Sequence, residues 1–244
     1  MAAVKRLQKT VDLLSKRYEV EGKKGELTDL RDPFLLGAWY ILGRHAKRNG
    51  QARAFEALRR AKGLTPGQLL DIQPEKLATI CQSAGPYEDA RGKDLYAYAD
   101  NIEEKCGQDF GKNFKKPLPA VRKFLEGDLR MPHPFADFLL MYSGFPVFAV
   151  DPGIARVVSR LGWCKIKSEK ALDEKSYAAV QKTLESEAPK NAEAVVRIHG
   201  LLVRHSADTC HLSAPACESC VLVKECAYVK KHPFVPKVPQ LQMQ

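Results

Sequence analysis

This sequence predicts an all-α fold, on three observations. Apolar residues recur at steps of three and four along most of the chain, few segments alternate with period two, and Pro, Gly, Asp and Thr interrupt the pattern at the spacing of short helices joined by short loops. The 244 residues suit one large domain or two modest ones, and an apolar content of 45% supplies material for a buried core.

The elements follow in order. Val4, Leu7, Val11, Leu14 and Tyr18 mark an amphipathic first helix, closed by the Gly-rich turn at 21–25. Asp32-Pro33 opens a strongly apolar helix through Leu42, since Asp caps well and Pro is tolerated in a first turn. Residues 51–62 form a basic helix ended by Gly63; Thr65-Pro66 and Gln73-Pro74-Glu75 open the next two, and Gly85-Pro86 closes the second of these. Leu95, Tyr98, Ala99, Ile102 and Cys106 place a helix over 87–106, and Pro117 to Leu129 reads as a further short one. Met131-Pro-His-Pro134 is a stiff connector into a buried central helix, 135–142, stopped by Gly144-Phe-Pro146. A brief extended run at 147–150 leads to Asp151-Pro152, where Asp151 caps a helix over 154–161. Later helices cover 176–187 and 191–204, before a Cys-rich segment and a Pro-rich tail whose composition suggests disorder.

Lys and Arg number 39 against 29 Asp and Glu, a formal net charge of +10 that favours a polyanionic partner, nucleic acid or an acidic membrane surface. The longest apolar runs are too short or too interrupted to span a bilayer. The N-terminal residues carry no apolar signal region, so a cytoplasmic, reducing location is expected, and the seven cysteines need an explanation other than structural disulfides.

Four of them, Cys210, Cys217, Cys220 and Cys226, fall in a C-x6-C-x2-C-x5-C arrangement within one loop. Structural four-cysteine zinc sites usually contribute two short pairs, whereas this loop has only Cys217 and Cys220. Four thiolates wound through one short loop suit a cubane iron-sulfur cluster, each iron taking one Cys. Cys81, Cys106 and Cys164 sit in apolar contexts and read as core residues.

That cysteine spacing resembles the endonuclease III and adenine glycosylase branch of the helix-hairpin-helix DNA glycosylases. Gly144-Phe-Pro-Val-Phe-Ala-Val-Asp151-Pro-Gly-Ile-Ala-Arg156-Val is similar to the family segment that ends in Val-Asp-Thr-His and a following Arg. Ile198-His-Gly, Cys226-Ala-Tyr, Ala99-Asp-Asn-Ile102, Asp32-Pro-Phe34 and Ile41-Leu42 follow in family order, so the likeness runs from about residue 30 to 230. It implies a base excision repair glycosylase acting as a monomer on double-stranded DNA with a damaged or mismatched base, with no membrane partner, nucleoid-associated in a bacterium. It also implies a 4Fe-4S cluster on the four cysteines, Asp151 as the catalytic carboxylate, and two helical lobes. The expected division is a first helix (1–30) packing with the cluster lobe, a six-helix barrel lobe (31–150) with a degenerate hairpin, the cluster lobe (151–230) and the tail (231–244).

The departures from the family are informative. Counting back from Asp151 without gaps puts His133 where bifunctional relatives carry the Lys that attacks the sugar; residues 130–136 hold no Lys, and the hairpin glycines are absent. A monofunctional hydrolysis with Asp151 and water is therefore expected. Pro132 and Pro134 have no N–H to offer a phosphate, so that contact is expected to fall to Arg130 and His133. His45 stands in the slot where the family usually places a Gln that fills the space left by a flipped base, and Arg44 and Lys47 flank it as candidate DNA contacts. The competing reading is a non-catalytic DNA-binding protein of glycosylase ancestry, which the altered hairpin, the His45 slot and a cluster loop with no Lys or Arg over 210–217 favour and the retained Asp151 opposes.

Overall fold

A computed structural model describes residues 6–18, 30–47 and 49–232, all of them helical or in connecting segments, with no β-strand among them. The described residues divide into two compact units, one formed by 6–18 with 150–232 and the other by 30–149. The turn at 21–25 and the tail beyond His232 lie outside the described residues. No helix among those described is long and apolar enough to cross a membrane.

In the second unit α2 (Pro33–Gly43) packs against α3 (Gly50–Arg60), α6 (Glu88–Lys105) and α8 (His133–Tyr142). Its sequence is apolar all round because it is covered on several sides. The short helices α4 (Pro66–Leu70) and α5 (Pro74–Gln82) lie against α6. The capping expectations hold in atomic detail. Asp32 accepts from the Leu35 N–H at 3.0 Å and Thr65 from the Gln68 N–H at 3.3 Å, while Pro33, Pro66 and Pro74 occupy first turns where a missing N–H costs nothing. An aromatic seam joins α2, α6 and α8: Tyr40 stacks on Phe135 with centroids 4.6 Å apart, and Phe34 stacks on Tyr98 at 5.3 Å.

Two features differ from the sequence reading. The helix expected over 117–129 is α7 (Leu118–Lys123) followed by a wide π turn, Phe124–Asp128, closed by the Leu129 N–H to the Phe124 carbonyl at 3.0 Å. The wider turn lets Leu125, Leu129 and Met131 all be buried, which outweighs helical regularity. A 3-10 helix over Gly107–Lys115 was not foreseen; the signal available was Phe110 and Phe114, four residues apart, whose rings meet edge-on at 5.3 Å. The extended run 147–150 is buried throughout.

The first unit packs α9 (Pro152–Arg160) against α11 (Ala192–Asp208), with α1 (Arg6–Tyr18) and α10 (Glu174–Glu187) closing on them. Leu7, Val11, Leu14 and Tyr18 are the buried stripe of α1, as their spacing predicts. A short α12 (Ala227–Lys231) follows the cysteines.

Close approach of α2 and α6 depends on Gly37, because a Cβ there would fall inside the Tyr98 ring, whose hydroxyl donates to the carbonyls of Pro33 and Phe34 at 3.2 Å. Gly37→Ala is expected to destabilise by about 2 kcal/mol through overpacking. In a denaturation cycle with Tyr98→Leu, the double variant should cost less than the sum of the singles.

Candidate active site and cysteine-lined cavity

Asp151 has extended backbone (φ −108°, ψ 168°) and caps α9, its Oδ1 accepting the Ile154 N–H at 2.7 Å. That bond fixes the carboxylate at the helix N-terminus, and Pro152 stiffens the turn. The side chain is only partly covered, so one face stays open to a partner. Gly153 is required by packing: a Cβ there would lie inside the Ser206 Oγ of α11 and 3.0 Å from Asp151 Oδ1. The carboxylate is thereby seated against α11.

Sequence reasoning missed His199, read only as part of a family-like tripeptide. It is buried in α11, and Asp151 is the charge it feels most. Burial pulls its pKa below the ordinary imidazole value, and the Asp151 carboxylate opposes that pull without overcoming it. A neutral imidazole thus lies beside the partly exposed carboxylate.

From Asp151 the same helix runs to the cysteine loop. Arg156 donates from Nε to the Cys210 carbonyl at 2.7 Å and from Nη2 to the Ser206 carbonyl at 3.2 Å. Arg160, buried at the helix end, donates to the carbonyls of His211 (2.7 Å) and Leu212 (3.0 Å), lies 3.5 Å from Cys210 Sγ, and is neutralised by Glu169. Cys210, Cys217, Cys220 and Cys226 line one cavity whose other walls include Val157, Leu161, Pro215, Leu222 and Val229. Burial raises the thiol pKa values of Cys210 and Cys217 and pushes Cys220 up to about 11. A metal taking these ligands must therefore expel their protons. His205 approaches Cys220 Sγ with Nε2 at 3.8 Å while Nδ1 meets the Tyr18 hydroxyl at 3.1 Å. Cys81 is buried and Cys106 and Cys164 half-buried, away from this loop in sequence.

In the other unit the structure brings Arg44, His45 and Lys47 to one exposed turn after α2. His45 is left-handed (φ 54°) and meets the exposed Tyr87 ring edge-on at 5.7 Å, and Arg44 pairs with Asp94 at 2.7 Å. Arg130 is also exposed and left-handed (φ 50°), beside the connector before α8.

His133, at the head of α8, is held from both sides: Nδ1 faces Glu126 Oε1 at 2.7 Å and Nε2 faces Asp137 Oδ2 at 3.2 Å. Arg122 joins both carboxylates, at 2.7 Å to Glu126 and 2.6 Å to Asp137. Asp137 is completely buried, and Arg122 supplies the counter-charge that burial demands. Glu126, His133 and Asp137 have the ligand types of a cation site, but Arg122 already pairs with both carboxylates and both ring nitrogens are engaged, so the group is an internal ion network.

The model of the HhH-GPD superfamily, base excision DNA repair proteins, matches residues 45–182. Endonuclease III of Haemophilus influenzae is 26% identical over 227 residues, covering 93% of this chain and 98% of its own length. Among solved structures, a trapped endonuclease III–DNA covalent intermediate superposes with a TM-score of 0.70 at 21% identity, over 95% of this chain and 99% of that one. A thermostable thymine-DNA glycosylase superposes with a TM-score of 0.67 at 17% identity, over 92% and 97%.

The buried imidazole makes stability pH-dependent in one direction. His199 binds its proton more readily unfolded than folded, so stability is intact above about pH 6.5 and falls as the pH drops from there toward the depressed folded value. Denaturant midpoints at pH 7 and pH 5 should show this loss, and His199→Gln should reduce it.

Proposed function

Since the chain belongs to the HhH-GPD superfamily of base excision DNA repair proteins, in its endonuclease III-like branch, we propose that it is a monofunctional glycosylase. In this reading it hydrolyses the N-glycosidic bond of a flipped damaged or mismatched base in double-stranded DNA. The observation that carries the proposal is Asp151: an anion held at a helix N-terminus, seated by Gly153 against α11, and open on one face. As the bond to the base breaks, positive charge develops on the sugar, and a fixed carboxylate stabilises it without reorganising. Water attacks the sugar carbon as the base departs with the bonding electrons; Asp151 takes the water's proton. The neutral buried His199 leaves the carboxylate uncompensated on that side, which keeps its charge available to the sugar.

The hairpin supports hydrolysis over lyase chemistry. A lyase step needs an amine nucleophile, and residues 130–136 offer none. His133 has each ring nitrogen against a carboxylate, which leaves it poorly placed for sugar or phosphate; Arg130 is the hairpin cation open to DNA. Arg44, His45 and Lys47 form the second contact, exposed and carried on one turn.

Cys210, Cys217, Cys220 and Cys226 would hold a 4Fe-4S cluster. They share one cavity with apolar walls, and Arg156 and Arg160 fix the loop that bears them. A cluster with all four irons ligated by cysteine supplies a structural cross-link and an electron store, not a site for the base.

The second reading, a DNA-binding protein without turnover, draws on the same hairpin, whose prolines and internal ion network replace phosphate-binding N–H groups. One experiment separates the two. Duplexes carrying uracil, mismatched thymine, hypoxanthine, oxidised or alkylated bases are incubated with the cluster-loaded protein, with and without alkali. Strand breaks that need alkali, lost by at least about a hundredfold in Asp151→Asn, are the expected result. Asn still caps the helix, so this variant should melt near the parent temperature. Tight, salt-sensitive binding with no base release would favour the second reading, and a borohydride-trapped adduct with abasic DNA would overturn the monofunctional assignment. Lys47→Ala should flatten the slope of log affinity against log salt by about one.

A further inference from the structure

Arg91, in the first turn of α6, is 3% exposed, yet among the described residues it has no carboxylate partner. A buried guanidinium remains charged, and such charges are ordinarily paired. Its bonds go to carbonyls instead: Nη2 to Arg44 at 2.7 Å, Nη1 to Cys81 at 3.3 Å and to Gly85 at 3.4 Å, while the buried Nε has no partner. Asp94 pairs instead with Arg44.

The Cys81 carbonyl is in the last turn of α5, and those of Arg44 and Gly85 belong to two segments that meet here. The stretch from Gly43, the last residue of α2, to Gly50, the first of α3, and residues 83–87 before α6 are joined directly by the Lys47 N–H to the Ala84 carbonyl at 2.8 Å. Both carry left-handed residues, His45, Asn49 and Tyr87, which the joint holds in place, and Tyr87 stands 65% exposed against His45. The outer face carries Arg44 and Lys47. A buried, uncompensated cation therefore underlies an exposed cationic double turn.

We propose that Arg91 is a positioning residue for the DNA backbone: it locks segment 43–50 to segment 83–87, and its unpaired charge beneath them is balanced by a phosphate of the bound duplex. This rests on the DNA-binding reading above and adds to it a buried residue that touches no DNA. The free protein bears the cost of an unmatched charge, and binding a polyanion relieves it, so affinity draws on a group that surface inspection would miss.

The test uses the full-length, cluster-loaded chain, a fluorescently labelled undamaged duplex, and two variants. Arg91→Gln keeps amide donors for the carbonyls and removes the charge; Arg91→Lys keeps the charge and weakens the clamp. Arg91→Gln should melt close to the parent yet bind about tenfold more weakly, the Coulomb worth of one charge near a protein surface. Arg91→Lys should melt lower yet bind within about threefold of the parent. Parental affinity in Arg91→Gln, or losses in both variants that track their melting temperatures, would overturn the inference. Should Arg91→Gln not fold, hydrogen exchange of the parent decides: added duplex should slow exchange at 43–50 and 83–87, and unchanged exchange there counts against the proposal. A parent chain that does not hold the duplex overturns the DNA reading itself, which is a different result from binding that ignores Arg91.

Discussion

The Asp151 Oδ1 to Ile154 N–H bond sets the start of α9, and a single helix then carries three jobs at fixed spacing. Its head presents the carboxylate, its middle sends Arg156 to the Cys210 carbonyl, and its end sends Arg160 to three groups of the same loop. A nine-residue helix is about 13 Å long, so the carboxylate and the cysteines are held by one rigid rod. Gly153 removes the side chain that would lift that rod off Ser206, and the burial of Ile154, Ala155, Val157 and Val158 seats the remainder. Loosening the cap would therefore disturb both ends.

Much of this was legible in the sequence because it depends on local chemistry. The Asp-Pro helix starts at 32–33 and 151–152, the stripe of α1 and the cysteine loop follow from residue type and spacing alone. What was not legible depends on partners distant in the chain. His199 is ordinary in sequence and becomes significant only because α9 brings Asp151 beside it. Arg91 looks like a solvated helix charge and is buried because carbonyls from α5 and two other segments converge on it. The π turn at 124–128 is chosen by three apolar side chains that must all face inward, a constraint no local propensity encodes.

The hairpin before α8 is satisfied internally. Two carboxylates, an arginine and a histidine occupy one another's hydrogen-bonding capacity, and Asp137 is sealed from solvent. The stabilising network and the open nucleophilic site are alternatives: a side chain engaged on both polar atoms has nothing left for a substrate. The exposed cationic groups nearby are Arg130, beside this network, and Arg44 and Lys47 after α2.

The discontinuity of the first unit has a consequence for synthesis. Residues 30–149 form a unit from one uninterrupted stretch, complete as soon as that stretch leaves the ribosome. The α1 stripe finds its partners only at the far end: Tyr18 meets His205 and Thr209, and the Leu7 N–H meets Glu187, 180 residues on. Until those residues emerge the apolar stripe of α1 has nothing to cover it, and a segment of 13 residues is marginal as a helix by itself. Its protection until α10 and α11 emerge is a matter of elongation time, and chaperones that read exposed apolar stripes have that interval in which to act.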